Sequence, residues 1–184
     1  MIALFKAIRD GWQPPTEVSE EFYYHVRDNQ DKYPEHLKGF MSIGCSFVAI
    51  RWDSYAKDKA KTNYALRAFN SLMRLKPLLE GIELYSCDYQ SLEIPDRSLI
   101  YCDPPYADTS GYGFDFSHEE FYVWCQNKVL EGHYLFVSEY NMPDLFEEVW
   151  STEVVVTLCR NRVSRKVERL FRLHEKPAFS LKMY

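Results

Sequence analysis

Residues 98–106, Ser-Leu-Ile-Tyr-Cys-Asp-Pro-Pro-Tyr, run from a short apolar segment straight into an acid, two prolines and an aromatic ring. Ser98 to Cys102 has the length and side-chain character of a buried strand. The pair Pro104-Pro105 fixes two φ angles and removes two backbone N–H donors, so neighbouring groups are held rigidly and carbonyl oxygens remain as acceptors. A carboxylate and a proline carbonyl side by side can accept both hydrogens of an exocyclic amino group, and Tyr106 offers a flat face on which a base can stack. Asp103, Pro104, Pro105 and Tyr106 are therefore the candidate catalytic residues.

Around this stretch the chain alternates strands and helices. Ile82 to Cys87 and His133 to Val137 read as further buried strands, and Glu153 to Leu158 and Glu168 to Leu173 as later ones. Between the second and third lies a helix opened by the capping box Ser117 and Glu120, carried by Phe121, Tyr122, Cys125 and Val129, and stopped by Gly132. Parallel α/β sheets bind ligands at the carboxyl ends of their strands, which directs attention to the loops after Cys87, Cys102 and Val137. Before residue 80 the chain reads as helical: Met1 to Asp10 closed by Gly11, a helix capped by Ser19, one opened by Pro34 and running to about Cys45, and Asn63 to Lys76 ended by Pro77.

The chain has 184 residues, of which 46% are hydrophobic and 27% charged, enough apolar material for a sizeable core and too much for disorder. No apolar run approaches the roughly 18 residues that cross a bilayer, so a soluble, cytoplasmic protein with no membrane partner is expected. Five cysteines without a C-x-x-C pair fit reduced thiols and imply no metal site. The net charge of -5 conceals an asymmetry. Seven basic and two acidic residues in 51–76 give +5, two basic and sixteen acidic in 77–158 give -14, and eight basic and two acidic in 159–184 give +6. Basic segments flanking an acidic one match a groove for phosphates beside a carboxylate-lined pocket, and equally match two solvated faces.

Taken together, Cys87-Asp-Tyr89, Leu99 to Ala107, Gly111-Tyr-Gly-Phe114, Glu120-Phe121, Phe136-Val-Ser-Glu-Tyr-Asn141 and Glu168-Arg-Leu-Phe171 resemble the Dam-like adenine-specific DNA methyltransferases. The resemblance implies a partial Rossmann-like α/β fold of the class I methyltransferase type, with a mixed, mostly parallel sheet. Residues 1–80 would hold the end of a cofactor-half helix and a helical target-recognition region, and 81–184 the catalytic half. It implies S-adenosylmethionine as cofactor and double-stranded DNA as partner. Asp103 and the Pro104 carbonyl would hold a flipped adenine amine, Tyr106 would stack on the base, and Asp103 would also lie beside the cofactor's methyl end. Asp88 and Tyr89 would contact the cofactor's adenine, and Tyr112 would lie in a loop closing over the site. Arg51, Lys57, Lys59, Lys61 and Arg67 become candidate phosphate contacts, with Trp52 or Tyr55 reaching bases.

The family also uses a glycine-rich loop after its first strand and an acid after its second, and neither is present. The expectation is that the first two strands of the standard sheet are missing, that the strand ending at Cys102 exposes an apolar edge, and that the strand ending at Cys87 loses its neighbour. The alternatives to a self-sufficient enzyme are a relic that grips DNA without cofactor and a split enzyme completed by a second chain carrying the loop. Gly39-Phe-Met-Ser-Ile-Gly44 has phosphate-loop spacing, but Cys45 stands where the lysine belongs and no strand precedes it, so it reads as helix packing. His118 reads as a helix-start residue, and Ser138 and Glu139 as strand-end groups of structural or functional use. Arg160, Arg162, Arg165 and Lys166 read as a basic hairpin tip.

Overall fold

The computed structural model describes residues 1–106, 116–159 and 162–173, with the backbone alone for 155–159 and 162–165. The chain divides into two units, Met1–Cys87 and Asp88–Tyr184.

The first unit is helical for local reasons. α1 (Ile2–Arg9) ends where Gly11 adopts φ +101°, a conformation that costs other residues a steric clash. α2 (Glu20–Asp28) starts where the Ser19 hydroxyl accepts the Phe22 N–H at 3.1 Å. α3 (Glu35–Gly44) follows Pro34, and α4 (Tyr64–Leu75) is capped by Asn63 accepting from Leu66 N at 2.9 Å. Their apolar faces meet in a core of Leu4, Ile8, Tyr23, Val26, Phe40 and Met41. Tyr23 is fully buried because its hydroxyl has a partner, Ser46 Oγ, at 2.6 Å. Burial raises its pKa, so the phenol stays neutral and the contact intact at neutral pH.

Gly39 and Gly44 lie within α3, so their spacing serves helix contacts rather than phosphate. A Cβ on Gly39 would stand 3.2 Å from Leu4 Cβ on α1, and one on Gly44 would stand 2.7 Å from Ala68 Cβ on α4. The absent side chains let three helices approach one another.

The second unit is an α/β arrangement. β1 (Leu99–Cys102) leads through α5 (His118–Leu130) to β2 (Tyr134–Glu139), and β3 (Phe146–Cys159) and β4 (Arg162–Leu173) form a long hairpin. The sheet order is β1-β2-β4-β3. β1 and β2 pair in parallel, with Leu99 opposite Tyr134 and Cys102 opposite Val137, whereas β2–β4 and β3–β4 are antiparallel. One of the three pairings is parallel, so among the described strands the sheet is mixed rather than mostly parallel. α5 begins where Ser117 Oγ accepts Glu120 N at 3.2 Å and ends before Gly132 at φ +95°. Its Phe121 and Cys125 join Leu135, Val137, Phe146, Phe171 and Leu173 in the core of this unit.

Two expectations about strands need correction or extension. Ile82–Cys87 forms no strand: its backbone is in no ladder among the described residues, and Ile82 and Tyr85 are exposed. An apolar run becomes a strand only when a neighbour accepts its backbone hydrogen bonds, and here none does. The last two strands are longer than their apolar cores, because in an antiparallel hairpin the ladder carries charged residues along with apolar ones. Among the described residues β1 has one ladder neighbour and lies at the sheet edge, with Leu99 and Tyr101 exposed. No helix among the described residues is long and apolar enough to cross a membrane.

Gly44→Ala is expected to destabilise the chain by about 1–3 kcal/mol through the contact with Ala68. The check is a lower urea midpoint at unchanged slope, with Gly44→Ala/Ala68→Gly restoring much of the loss.

Candidate active site

β1 and β2 are parallel, so their carboxyl ends point the same way and the turn after Cys102 meets the segment after Val137. The Tyr106 hydroxyl hydrogen-bonds Ser138 Oγ at 3.0 Å across 32 residues of sequence. The Tyr106 ring stands edge-on to Tyr140, with centroids 4.5 Å apart and planes at 90°. Burial raises the pKa of this phenol, against the opposing hydrogen bond from Ser138, so it remains a neutral hydroxyl. Ser138 is thus a strand-end residue that positions an aromatic ring of the site.

On the other side His118 fixes the proline pair. Its Nε2 lies 2.9 Å from the Pro105 carbonyl oxygen. A carbonyl only accepts, so Nε2 carries the hydrogen and donates it. His118 does more than start α5: it engages the Pro105 oxygen, while Asp103 is exposed at the strand end. Phe116 packs edge-on against the His118 ring at 5.0 Å and also against Tyr89 at 6.1 Å.

Behind the turn sits Glu139, 2% exposed, whose Oε1 accepts Tyr140 N at 2.7 Å. Arg169 donates from Nη1 to the Tyr140 carbonyl and pairs through Nε with Glu148 Oε2 at 3.0 Å. The Lys166 ammonium lies over the Tyr140 ring at 4.4 Å. Tyr140 and Arg169, which lie in the stretches that carry the resemblance but have no role assigned from sequence, are therefore members of the site framework. The available signal was Tyr140 standing two residues beyond Ser138 at the end of an apolar strand.

The remaining candidate residues divide. Asp88 spends its Oδ1 on capping a short turn of 3-10 helix, accepting Gln90 N at 2.8 Å. Tyr89 lies in an aromatic cluster, 5.7 Å from Phe121 and 5.1 Å from Trp124, both edge-on. Tyr112 and the Gly111–Phe114 stretch lie outside the described residues, as does Arg160, and the side chains of Arg162 and Arg165 are likewise not described. A cavity of about 520 Å³ lined by His133, Tyr134, Phe136, Arg172 and Leu173 opens at the amino end of β2, remote from this chemistry.

In the first unit the basic candidates are exposed but not equivalent. Lys57 pairs with Glu20 at 2.9 Å, whereas Arg67 lies 5.7 Å from the Tyr64 ring. Arg51, Lys59 and Lys61 are exposed side chains. Arg51 follows a turn in which Val48 and Ala49 adopt φ 53° and 57°, rare for a β-branched residue, with Phe47, Val48 and Ile50 exposed. Trp52 and Tyr55 do not reach outward as expected. Trp52 packs 5.5 Å from Tyr23, with its Nε1 buried and unpaired among the described residues, and the Tyr55 hydroxyl donates to Val18 O at 2.7 Å. Both rings are drawn inward because apolar burial outweighs the exposure a base contact requires.

No protein-family model and no curated protein matches the chain.

His118→Ala is expected to cost about 1 kcal/mol by removing the donor to Pro105. The check is a lower melting temperature together with faster amide exchange around residues 102–106, and Ser138→Ala should produce a similar local loosening.

Proposed function

We propose that the chain is the target-recognition and catalytic part of an S-adenosylmethionine-dependent DNA adenine methyltransferase with a Rossmann-like sheet. The observation that carries this reading is the Asp103-Pro104-Pro105-Tyr106 turn at the carboxyl end of a parallel strand. Its acid is exposed, and its ring and second proline are held by Ser138, Tyr140 and His118.

An adenine amine is a poor nucleophile because its lone pair is delocalised into the ring. The Asp103 carboxylate and the Pro104 carbonyl accept its two hydrogens, which favours a pyramidal nitrogen with a directed lone pair. With the Pro105 oxygen engaged by His118, the turn keeps one orientation while the amine is held. Tyr106 stacks on the flipped base. Asp103 takes the proton that the amine gives up as its new bond to carbon forms, and passes it to water. S-adenosylmethionine supplies the electrophilic methyl when bound. Asp88 and Tyr89 would hold its adenine end. A cradle for its methionine end is not found among the described residues, and a second chain carrying a glycine-rich loop would supply it. The edge of β1, which has a single ladder neighbour among the described residues, is a place where such a chain could add a strand.

The first unit is the DNA-gripping part. Its net +5 segment carries Arg51, Lys59, Lys61 and Arg67 as exposed side chains, and Arg51 directly follows the exposed Phe47–Ile50 turn, which suits phosphate contacts near an apolar wedge.

Labelled methyl transfer to mixed-sequence duplex DNA by the enzyme completed with the chain that carries the glycine-rich loop, followed by nucleoside analysis, tests the reading. N6-methyladenine that disappears in Asp103→Ala, with DNA binding kept, is the expected result. Near-normal turnover in that variant would overturn the role of Asp103. Arg51→Ala, Lys59→Ala and Lys61→Ala should each weaken duplex binding and lower the salt slope by about 1. Lys57→Ala should change the slope less, because its ammonium already pairs with Glu20.

A further inference from the structure

Two cations converge on Tyr140, and they are not alike. Arg169 is occupied by protein groups: Nη1 donates to the Tyr140 carbonyl and Nε pairs with Glu148 Oε2 at 3.0 Å. Lys166 lies within β4, opposite Val154, with its ammonium 4.4 Å from the centre of the Tyr140 ring, and it pairs with no carboxylate among the described residues. Side chains alternate along a strand, so Lys166 shares a sheet face with Leu170, which stands opposite Ser138, while Arg169 shares the other face with Phe171 of the core. The Tyr140 ring in turn stands edge-on to Tyr106, whose hydroxyl meets Ser138. The Lys166 ammonium and the Tyr106 ring therefore rest on the same aromatic side chain.

We propose that Lys166 is a phosphate-binding residue of the candidate active site: it holds a phosphate of the nucleotide whose base stacks on Tyr106, so that the site takes a nucleotide rather than a bare base. This inference rests on the reading of Tyr106 as the stacking wall. A base, its sugar and its phosphate form one short covalent unit, so a ring that receives the base calls for a phosphate-holding group close by. The face of Tyr140 attracts the ammonium through its quadrupole without supplying the directional oxygen that a carboxylate would, and the N–H donors turned away from the ring remain for a phosphate oxygen. Arg169, already paired with Glu148, has less to offer an anion. The surroundings also call for a cation. Burial, together with the charges of Asp103 and Glu168, raises the Tyr106 pKa, which puts two carboxylates near the stacking ring. Carboxylates at that range repel an incoming phosphate, and an ammonium that no acid has neutralised offsets them.

The test is titration of the isotopically labelled full-length chain with 2′-deoxyadenosine and with its 5′- and 3′-monophosphates, read by nuclear magnetic resonance of the tyrosine rings. The variant Lys166→Met keeps the apolar stem over Tyr140 and removes the charge, and Lys166→Arg restores a charge. The expected result is that a monophosphate binds roughly tenfold more tightly than the nucleoside, with Tyr106 and Tyr140 signals shifting. That gain should vanish in Lys166→Met and largely return in Lys166→Arg, with nucleoside affinity the same in all three proteins. Monophosphates that gain nothing over the nucleoside, or that keep their gain in Lys166→Met, overturn the proposal and leave adenine stacking standing. A gain lost in Lys166→Met but equal for all four deoxynucleotides supports the phosphate contact and counts against adenine as the target. If no probe shifts Tyr106 or Tyr140, both readings fall. Should Lys166→Met fail to fold, the native chain with labelled lysine still decides: the Lys166 side-chain signal moves with the monophosphates and not with the nucleoside, and a signal that stays in place refutes the contact.

Discussion

The parallel pairing of Leu99–Cys102 with Tyr134–Val137 is the constraint on which the candidate site depends. Antiparallel strands would place the Asp103 turn and Ser138 at opposite ends of the sheet. Parallel strands place both at the same end, and the hydrogen bond between Tyr106 and Ser138 becomes possible. Such a pairing needs a crossover, and α5 provides it, capped by Ser117 and ended before Gly132. The same helix delivers His118 to the Pro105 carbonyl, so one crossover both closes the core and holds the turn from its second side.

Hydrophobic burial on a single sheet face explains the rest of the second unit. Leu135, Val137, Phe171 and Leu173 turn toward Phe121 and Cys125 of α5, while Leu99, Tyr101 and Tyr134 on β1 and β2 stay exposed. Charge is handled locally at the long hairpin, where Arg172 pairs with Glu147 and Arg169 with Glu148 across β3 and β4. These half-exposed pairs contribute little to stability, and Arg169 matters more for the carbonyl of Tyr140 that it also holds.

The first unit is organised by aromatic burial instead. Tyr23 makes edge-on or tilted contacts with Tyr24, Trp52 and Tyr55, and its hydroxyl is satisfied by Ser46. Drawing Trp52 and Tyr55 inward leaves the turn between them and α3 to carry exposed Phe47, Val48 and Ile50 on a backbone with positive φ values. The conformational cost of that turn, of order 1–3 kcal/mol per strained residue, is offset by the well-packed core beneath it.

By itself the sequence determined what depends on near neighbours. Ser19, Asn63 and Ser117 cap helices because a hydroxyl or amide three residues upstream of a free N–H meets it wherever the chain goes. Gly11 and Gly132 terminate helices because their backbone conformation is local, and Asp103-Pro-Pro-Tyr106 is a rigid turn after a strand because proline fixes its own φ. Only the tertiary structure decided what needs a partner distant in sequence. Ile82–Cys87 has strand composition and no ladder among the described residues, since a ladder belongs to two segments and composition describes one. Lys57 is tied to Glu20 and Trp52 lies half-buried beside Tyr23, each through contacts between residues far apart in the chain. The ring of Tyr106 is set by Tyr140 and Ser138 for the same reason. Local patterns state which groups a residue offers, and the fold states which groups it meets.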